Sequence, residues 1–597
     1  MIRLADYVAR TLVEKGCDQV FMVTGGMAMH LNDAIGRCPG LSYFCCHHEQ
    51  ACAMAAEAYA RVQNRPAVVQ VTGGPGGVNA LNGVFGAFTD SIPMLIISGQ
   101  AKRETCLSSY ALPGLRQLGD QEIEIVPMVR GITKYAVFVR DPLSIRYHLE
   151  KAIHLAKTGR PGPCWLDIPV DVQSTMIDEA ALEAYEPEPE SEPDLAEICA
   201  RVLERIGAVE RPVILAGSGI HLAGARELFE RVATRLGLPV TVAFTAPDAI
   251  PTDHPLYCGR PATVGDRAGN FTVQNSDLVL VLGSRLNIRQ VSYNWKNFAR
   301  AAEKIQVDID PAELEKPTVK PDLSICADLR IFLAELERQM EVRAFHAPKA
   351  AAWLAWCRAR VERFPAVTKR QRESARLNPY VFIDAAIRSL GADDIVVCGD
   401  GTAAVVPFQV GFMQRGMRMF GNSGAASMGY DIPAAVGAAV AAQGRRVICF
   451  AGDGSAQFNI QELETISFHR LPIKIFLLNN GGYLSIRTTQ AGFFRGNFVG
   501  EGRRSGVSFP DYVKVAAAYG LPARRIEALD FQRELEAFLE IDGPALCEVM
   551  LDPAQEFEPK VTSRALPDGR MATSALEDMA PFLSRDELAE NMLIPLE

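Results

Sequence analysis

Gly452-Asp453-Gly454-Ser455 lies between two apolar runs, VICFA (447–451) and KIFLLNN (474–480), and the second run leads into Asn479-Asn480-Gly481-Gly482-Tyr483. Both runs read as buried strands, and FNIQELETISFHR (458–470) between them has helical spacing. Strand, glycine turn, helix and strand form a parallel unit, and open parallel sheets bind their ligands at the carboxyl ends of the strands. Asp453 and Asn480 would face one crevice there, offering a carboxylate and an amide oxygen. Mg²⁺ prefers such hard oxygens and takes its remaining ligands from water and phosphate. The small residues around Asp453 leave room for a diphosphate against backbone amides and a helix N-terminus. The bland alternative is an ordinary βαβ unit whose turn happens to be GDGS.

A chain of 597 residues is too long for one core and implies several domains. Its hydrophobic content of 48% with 22% charged residues is that of a globular protein. The net charge of −10 argues against nucleic acid or an anionic membrane as the main partner. No apolar run reaches the length of a membrane span, and the opening MIRLADYVARTLVEKG reads as an amphipathic helix without a signal-peptide core. The 14 cysteines are scattered without zinc-type pairing, which suggests reduced thiols and a cytoplasmic location.

Strand and helix patterns alternate over residues 1–178, as expected of a parallel sheet covered on both faces. DQVFMVTGG (18–26), LSYFCC (41–46), PAVVQVT (66–72) and PMLIISGQ (93–100) read as strands. GGPGGVN (73–79) reads as a turn opening a helix at 80–88, and PCWLDIPVDVQ (163–173) as a closing strand. The glycine turn lacks full GxGxxG spacing and is weak as a dinucleotide fingerprint. Glu49 sits between a strand and an Ala-rich helix, so it reads either as a helix-dipole acid or as a buried acid poised to share a proton. His47 and His48 read as structural or pocket-lining residues.

The acidic, Pro-rich stretch around YEPEPESEPD makes 179–194 a linker. A second α/β segment covers 195–345. RPVILAGSGIHLAGA (211–225) supplies a glycine turn at Gly217, Gly219 and Gly224, and Asp308 and Asp310 stand where a ribose could be held. Arg285 and Arg289 suit phosphates or a flavin carbonyl. A nucleotide-like fold with nothing bound is the alternative. A helical linker (346–377) leads to a third segment (378–552), followed by a loop-like tail (553–597) with a late amphipathic piece at 574–592. DIVVCGDGTAA (394–404) repeats the GDG without a following Asn pair, so Asp400 reads as a turn residue or a minor contact, not a second metal site. Met428 is the bulky member of the small-residue loop NSGAASMGYDIPAAVGAAV (422–440).

HHEQACAMAAEAYAR, SIPMLIISGQ, GRPGPCWLDIPVDV, VDIDPAEL, SMGYDIPAAVGAA and GDGS…LLNNGGY together resemble acetolactate synthase, in the same order along the chain as far as about residue 550. The resemblance implies three doubly wound parallel-sheet α/β domains: pyrimidine-binding, central nucleotide- or FAD-binding, and diphosphate-binding. It also implies thiamine diphosphate, Mg²⁺ and, in flavin-containing members, FAD. By the same resemblance Asp453, Asn480 and the Gly482 carbonyl would hold the metal. Glu49 would hydrogen-bond the aminopyrimidine, and Met428 would bend the cofactor. Gly73, Gln100, Gly401, Thr402, Gly424, Gly452, Gly454, Ser455 and Tyr483 would complete the thiamine diphosphate contacts. Gly217, Gly219, Arg285, Asp308, Asp310 and Asp328 are the corresponding central-domain positions. With Glu49 and Asp453 in different domains, the family completes its sites between subunits, so a homodimer or homotetramer is expected.

Several positions depart from the family pattern. Thr489 stands where acetolactate synthases carry an acceptor-selecting Trp, Thr402-Ala403 replace His-Gln, and Leu286-Asn287-Ile288-Arg289 replaces FDDR. LRQLGDQEIEIV, ITKY and EDMAPFL look closer to flavoenzyme relatives from sugar pathways, whose acceptor is a nucleotide-linked keto-deoxysugar. Three functions remain: a carboligase using a 2-oxo acid donor and a carbonyl acceptor, a decarboxylase or hydrolase on the same cofactor, or a non-catalytic regulatory subunit.

Overall fold

A computed structural model describes residues 1–110, 112–189, 194–345, 347, 349–565 and 571–596. Residues 190–193 of the expected linker lie outside the described residues. Three all-parallel sheets carry the fold. The first contains β1 (Gln19–Met22), β2 (Ser42–Cys45), β3 (Ala67–Val71), β4 (Met94–Gln100), β5 (Tyr135–Phe138) and β6 (Pro163–Pro169), in the order β2-β1-β3-β4-β6-β5. The central sheet contains β7 (Pro212–Ala216), β8 (Val240–Val242), β9 (Leu278–Leu282), β10 (Glu303–Asp308) and β11 (Leu323–Cys326), in the order β8-β7-β9-β10-β11. The third contains β12 (Ile395–Cys398), β13 (Arg418–Phe420), β14 (Val447–Gly452), β15 (Ile473–Asn479), β16 (Ala523–Ile526) and β17 (Ala545–Met550), in the order β13-β12-β14-β15-β17-β16. The outer two sheets thus repeat one topology. Middle strands such as β9 and β14 are buried along nearly their whole length, as the unbroken runs LVLVL and VICFA require of a doubly covered sheet.

Helix α1 (Glu49–Gln63) packs both on α2 (Pro75–Thr89) of the first domain and on α3 (Asp431–Ala442) of the third. The contact works because these helices are built from small residues. Ala51, Ala53, Ala55, Ala434, Ala435 and Ala438 are all 0% exposed, and a Cβ on Gly437 would overlap the Ala55 carbonyl. One apolar cluster therefore runs from Phe21 and Val69 of the first sheet to Val397 and Ile475 of the third.

Four elements differ from their sequence reading. Helix α2 begins at Pro75, because Pro fits the first helical position and leaves only Gly73-Gly74 as the turn. Strand β6 stops at Pro169 and passes into a helical turn, Val170–Gln173. A tight turn at Ser455–Asn459 precedes α4 (Glu462–Phe468), which is shorter than the helical pattern. The tail holds a small hairpin (Ser563–Ala565 with Met571–Thr573) and a six-residue helix, Arg585–Glu590. It straps the central domain: Asn270 Nδ2 donates to the Leu576 carbonyl at 2.9 Å, and Arg300 pairs with Glu577 at 2.8 Å. No described helix is long and apolar enough to cross a membrane.

Candidate active site

Asp453 leaves the end of β14 with its side chain turned back into the turn. Oδ1 accepts from Gly454 N–H at 2.8 Å and Oδ2 from Gly482 N–H at 2.9 Å. Burial pushes its carboxyl up to about 6, against the downward pull of these amides. Asn480, 6% exposed, donates through Nδ2 to Thr402 Oγ1 at 3.3 Å. Its Oδ1 is buried with no hydrogen-bond partner. An orphaned amide oxygen two residues before Gly482, whose N–H the desolvated Asp453 carboxylate accepts, completes a donor set suited to a hard divalent cation. Gly482 has φ +146°, and a Cβ there would overlap the Glu501 carbonyl, so only glycine fits. The Tyr483 ring closes on Gly454, and Tyr512 Oη donates to the Asp453 carbonyl.

The loop bearing Met428 is tied to this turn. Gly429 N–H donates to Ser455 Oγ at 2.8 Å, and Asn459 Nδ2 donates to the Gly429 carbonyl at 2.7 Å. Gly401-Thr402 also reach the site, since Thr402 opens the helix that meets Asn480. Asp453, Asn480, Gly482, Gly452, Gly454, Ser455, Tyr483, Thr402 and the Met428 loop thus form one neighbourhood.

Glu49 lies elsewhere on the chain and is not the buried acid the sequence allowed. It is the first residue of α1, with His48 Nδ1 capping the helix by accepting from Gln50 N–H at 3.0 Å. Its carboxylate is half-exposed and accepts from Asn79 Nδ2 at 3.0 Å. It stays on the rim because strand β2, which delivers it, is a half-exposed edge strand. Exposed Phe85, Leu112, Leu115, Leu118 and Met128 belong to the same domain. Gln121, which the sequence reading did not single out, is held at φ +57° with its carbonyl against Gly74 in the turn before α2. No sequence spacing reveals such a backbone conformation.

At the carboxyl ends of the central strands lies a cavity of about 350 Å³, lined by Gly219, Arg285, Asp308 and Asp328 and by Asp90, Lys157 and Arg160 of the first domain. Burial pushes the Asp308 carboxyl up. Asp328 also caps the helix Leu329–Val342. Asp310 is placed differently from its expected ribose role: it caps Ala312 N–H at 3.0 Å and pairs with Arg160 at 3.0 Å, outside the lining. Gly217 and Gly219 serve close packing, since a Cβ on either would meet Gly283. A smaller cavity between the central and third domains is lined by Arg289, Asp400, Asn422 and Ser423. Asn422 Nδ2 and Ser423 Oγ are buried there without partners.

The chain matches three family descriptions in succession: thiamine pyrophosphate enzyme N-terminal TPP binding domain over residues 2–124, central domain over 199–336, and C-terminal TPP binding domain over 401–549. It is 31% identical to the probable acetolactate synthase 2, chloroplastic, of Oryza sativa subsp. japonica, covering 94% of this chain and 84% of that protein. It is 31% identical to the acetolactate synthase large subunit of Lactococcus lactis, covering 93% of each. Against the isozyme 1 large subunit of Escherichia coli K12 it is 30% identical, over 93% of this chain and 95% of that one. The chain belongs to the thiamine-diphosphate-dependent acetolactate synthase family.

Some positions carried over from that family are engaged within this chain. Gln100 is 2% exposed and spends its amide on Asp167, the Ile123 carbonyl and Ala101 N–H. A Cβ on Gly73 would meet Met27 Sδ at 2.6 Å. Gly424 N–H donates to Asp90 at 3.0 Å rather than facing the GDG turn. Thr489 lies exposed on α5 (Leu484–Phe493), its hydroxyl donating to the Ser485 carbonyl at 2.9 Å.

Proposed function

We propose that this enzyme decarboxylates pyruvate, or a related 2-oxo acid, and joins the resulting two-carbon unit to a carbonyl acceptor. The observation that carries the reading is the unpartnered Oδ1 of Asn480 together with the buried Asp453 carboxylate. Asp453, Asn480 and the Gly482 carbonyl would hold Mg²⁺, and the Mg²⁺ and the small-residue turn would hold the diphosphate of thiamine diphosphate. When bound, that cofactor supplies the electron sink for loss of carbon dioxide. Glu49 would hold a proton at the pyrimidine ring nitrogen, and Met428 would support the cofactor's bend, which orients its reacting groups.

Glu49 is half-exposed and accepts a hydrogen bond from Asn79, and a second copy would bring it to Asp453 in a homodimer or homotetramer. FAD is the proposed occupant of the central cavity. Asp308 would face a ribose, Arg285 would face phosphates, and the free donors of Asn422 and Ser423 would meet the flavin ring. The short, exposed Thr489 favours an acceptor larger than a second oxo acid, such as a nucleotide-linked keto-deoxysugar. The free thiols suit a cytoplasmic location. The products formed from pyruvate with each acceptor separate carboligation from simple decarboxylation or hydrolysis, and a flavin absorbance band in the purified protein tests FAD.

A further inference from the structure

The loop carrying Met428 is gripped from a second side, at Asp90, the residue that caps the C-terminus of α2. The Asp90 side chain is 3% exposed. Oδ1 accepts from Gly424 N–H at 3.0 Å and Oδ2 from Arg61 Nη2 at 2.7 Å. Arg285 Nη2, from the wall of the central cavity, stands 3.6 Å from Oδ1. Arg61 is also held by Glu57 at 2.7 Å, and Tyr430 Oη donates to Glu57 at 2.6 Å just beyond the loop. A Cβ on Gly424 would overlap the Asp90 carboxylate and come within 2.9 Å of Arg285 Nη2. Loop and carboxylate therefore touch without slack. A carboxylate this buried is tolerated only when paired, and here its partners come from all three domains.

We propose that Asp90 is a positioning residue: it fastens the Met428 loop to the first domain and links the placing of that loop to Arg285 in the central cavity wall. It touches no reacting group and acts through Gly424. The proposal rests on the reading of this loop as a thiamine diphosphate contact.

Calorimetric titration of thiamine diphosphate with Mg²⁺ into wild type, Asp90→Asn and Gly424→Ala tests it. Asparagine removes the charge shared by Arg61 and Arg285, whereas alanine keeps every charge and pushes the loop away. Both variants are expected to weaken Kd for thiamine diphosphate by roughly tenfold or more. Saturating cofactor should return kcat of Asp90→Asn to within about threefold of wild type, because bound cofactor can recover the loop's placement. If Asp90→Asn fails to fold, Gly424→Ala decides alone. An unchanged Kd in Gly424→Ala overturns the proposal, as does a lowered melting temperature in either variant without a change in Kd. A wild type that binds no thiamine diphosphate overturns the reading of the site instead.

Discussion

Glu49 is a half-exposed acid and Asp453 a buried one, and each should yield to substitution differently. Glu49→Gln keeps the contact with Asn79 on a half-exposed rim, so the thermal midpoint should stay within about 2 °C of wild type. Pyruvate turnover should fall by about 10²–10⁴-fold if Glu49 holds the catalytic proton, measured as carbon dioxide release at saturating cofactor. Asp167 carries a distinct part of the pH dependence of stability. It is buried between Ser98 Oγ at 2.6 Å and Gln100 Nε2 at 3.0 Å, and burial lifts its carboxyl from 3.8 to about 7. The folded protein thus holds this proton more tightly than the unfolded chain. Its stabilisation is complete below pH 3.8 and is lost as the pH rises through about 7. Urea unfolding should give a lower stability at pH 8 than at pH 5, and Asp167→Asn should reduce that difference by on the order of 2 kcal/mol. Asp167 was not legible as special, because its strand PCWLDIP reads only as a run; the shift arises from full burial in the packed sheet, which its hydrogen bonds from Ser98 and Gln100 only partly offset.

Among the elements, the crossing of α1 and α3 bears the join between the first and third domains. Gly437 meets the Ala55 carbonyl there, and backbone cannot turn aside as a side chain can. Gly437→Ala should destabilise the chain by about 1–3 kcal/mol, read from denaturant unfolding, and an unaltered midpoint would mean the helices do not pack this closely. The strands were the most legible elements, since runs of Val, Ile and Leu such as 278–282 have few other readings. The GDG and Asn-Asn ends of β14 and β15 were legible for the same reason: polar residues closing apolar runs mark a crevice. The helix starts were less so. Pro75 draws α2 back over glycines that read as a loop, and the amphipathic tail pattern yields only a short helix because its apolar residues serve the strap on the central domain.

At the scale of the molecule, the outer sheets share one strand order, and their helices share one core. Neither fact was visible along the chain, because both depend on segments hundreds of residues apart. The same distance separates Glu49 from Asp453, and the account assigns them to different copies. Mixing inactive Glu49→Gln with inactive Asp453→Asn should then restore about a quarter of wild-type activity after subunit exchange, since half the dimers are hybrid and each has one intact site. No recovery, with hybrids demonstrated, would place both residues in one chain's site. The central claim is tested by incubating the purified protein with pyruvate, Mg²⁺, thiamine diphosphate and a panel of ketone and oxo-acid acceptors, with products read by mass spectrometry. The account predicts an acceptor enlarged by the two-carbon unit together with carbon dioxide. Acetaldehyde or acetate as the sole product with every acceptor would contradict it.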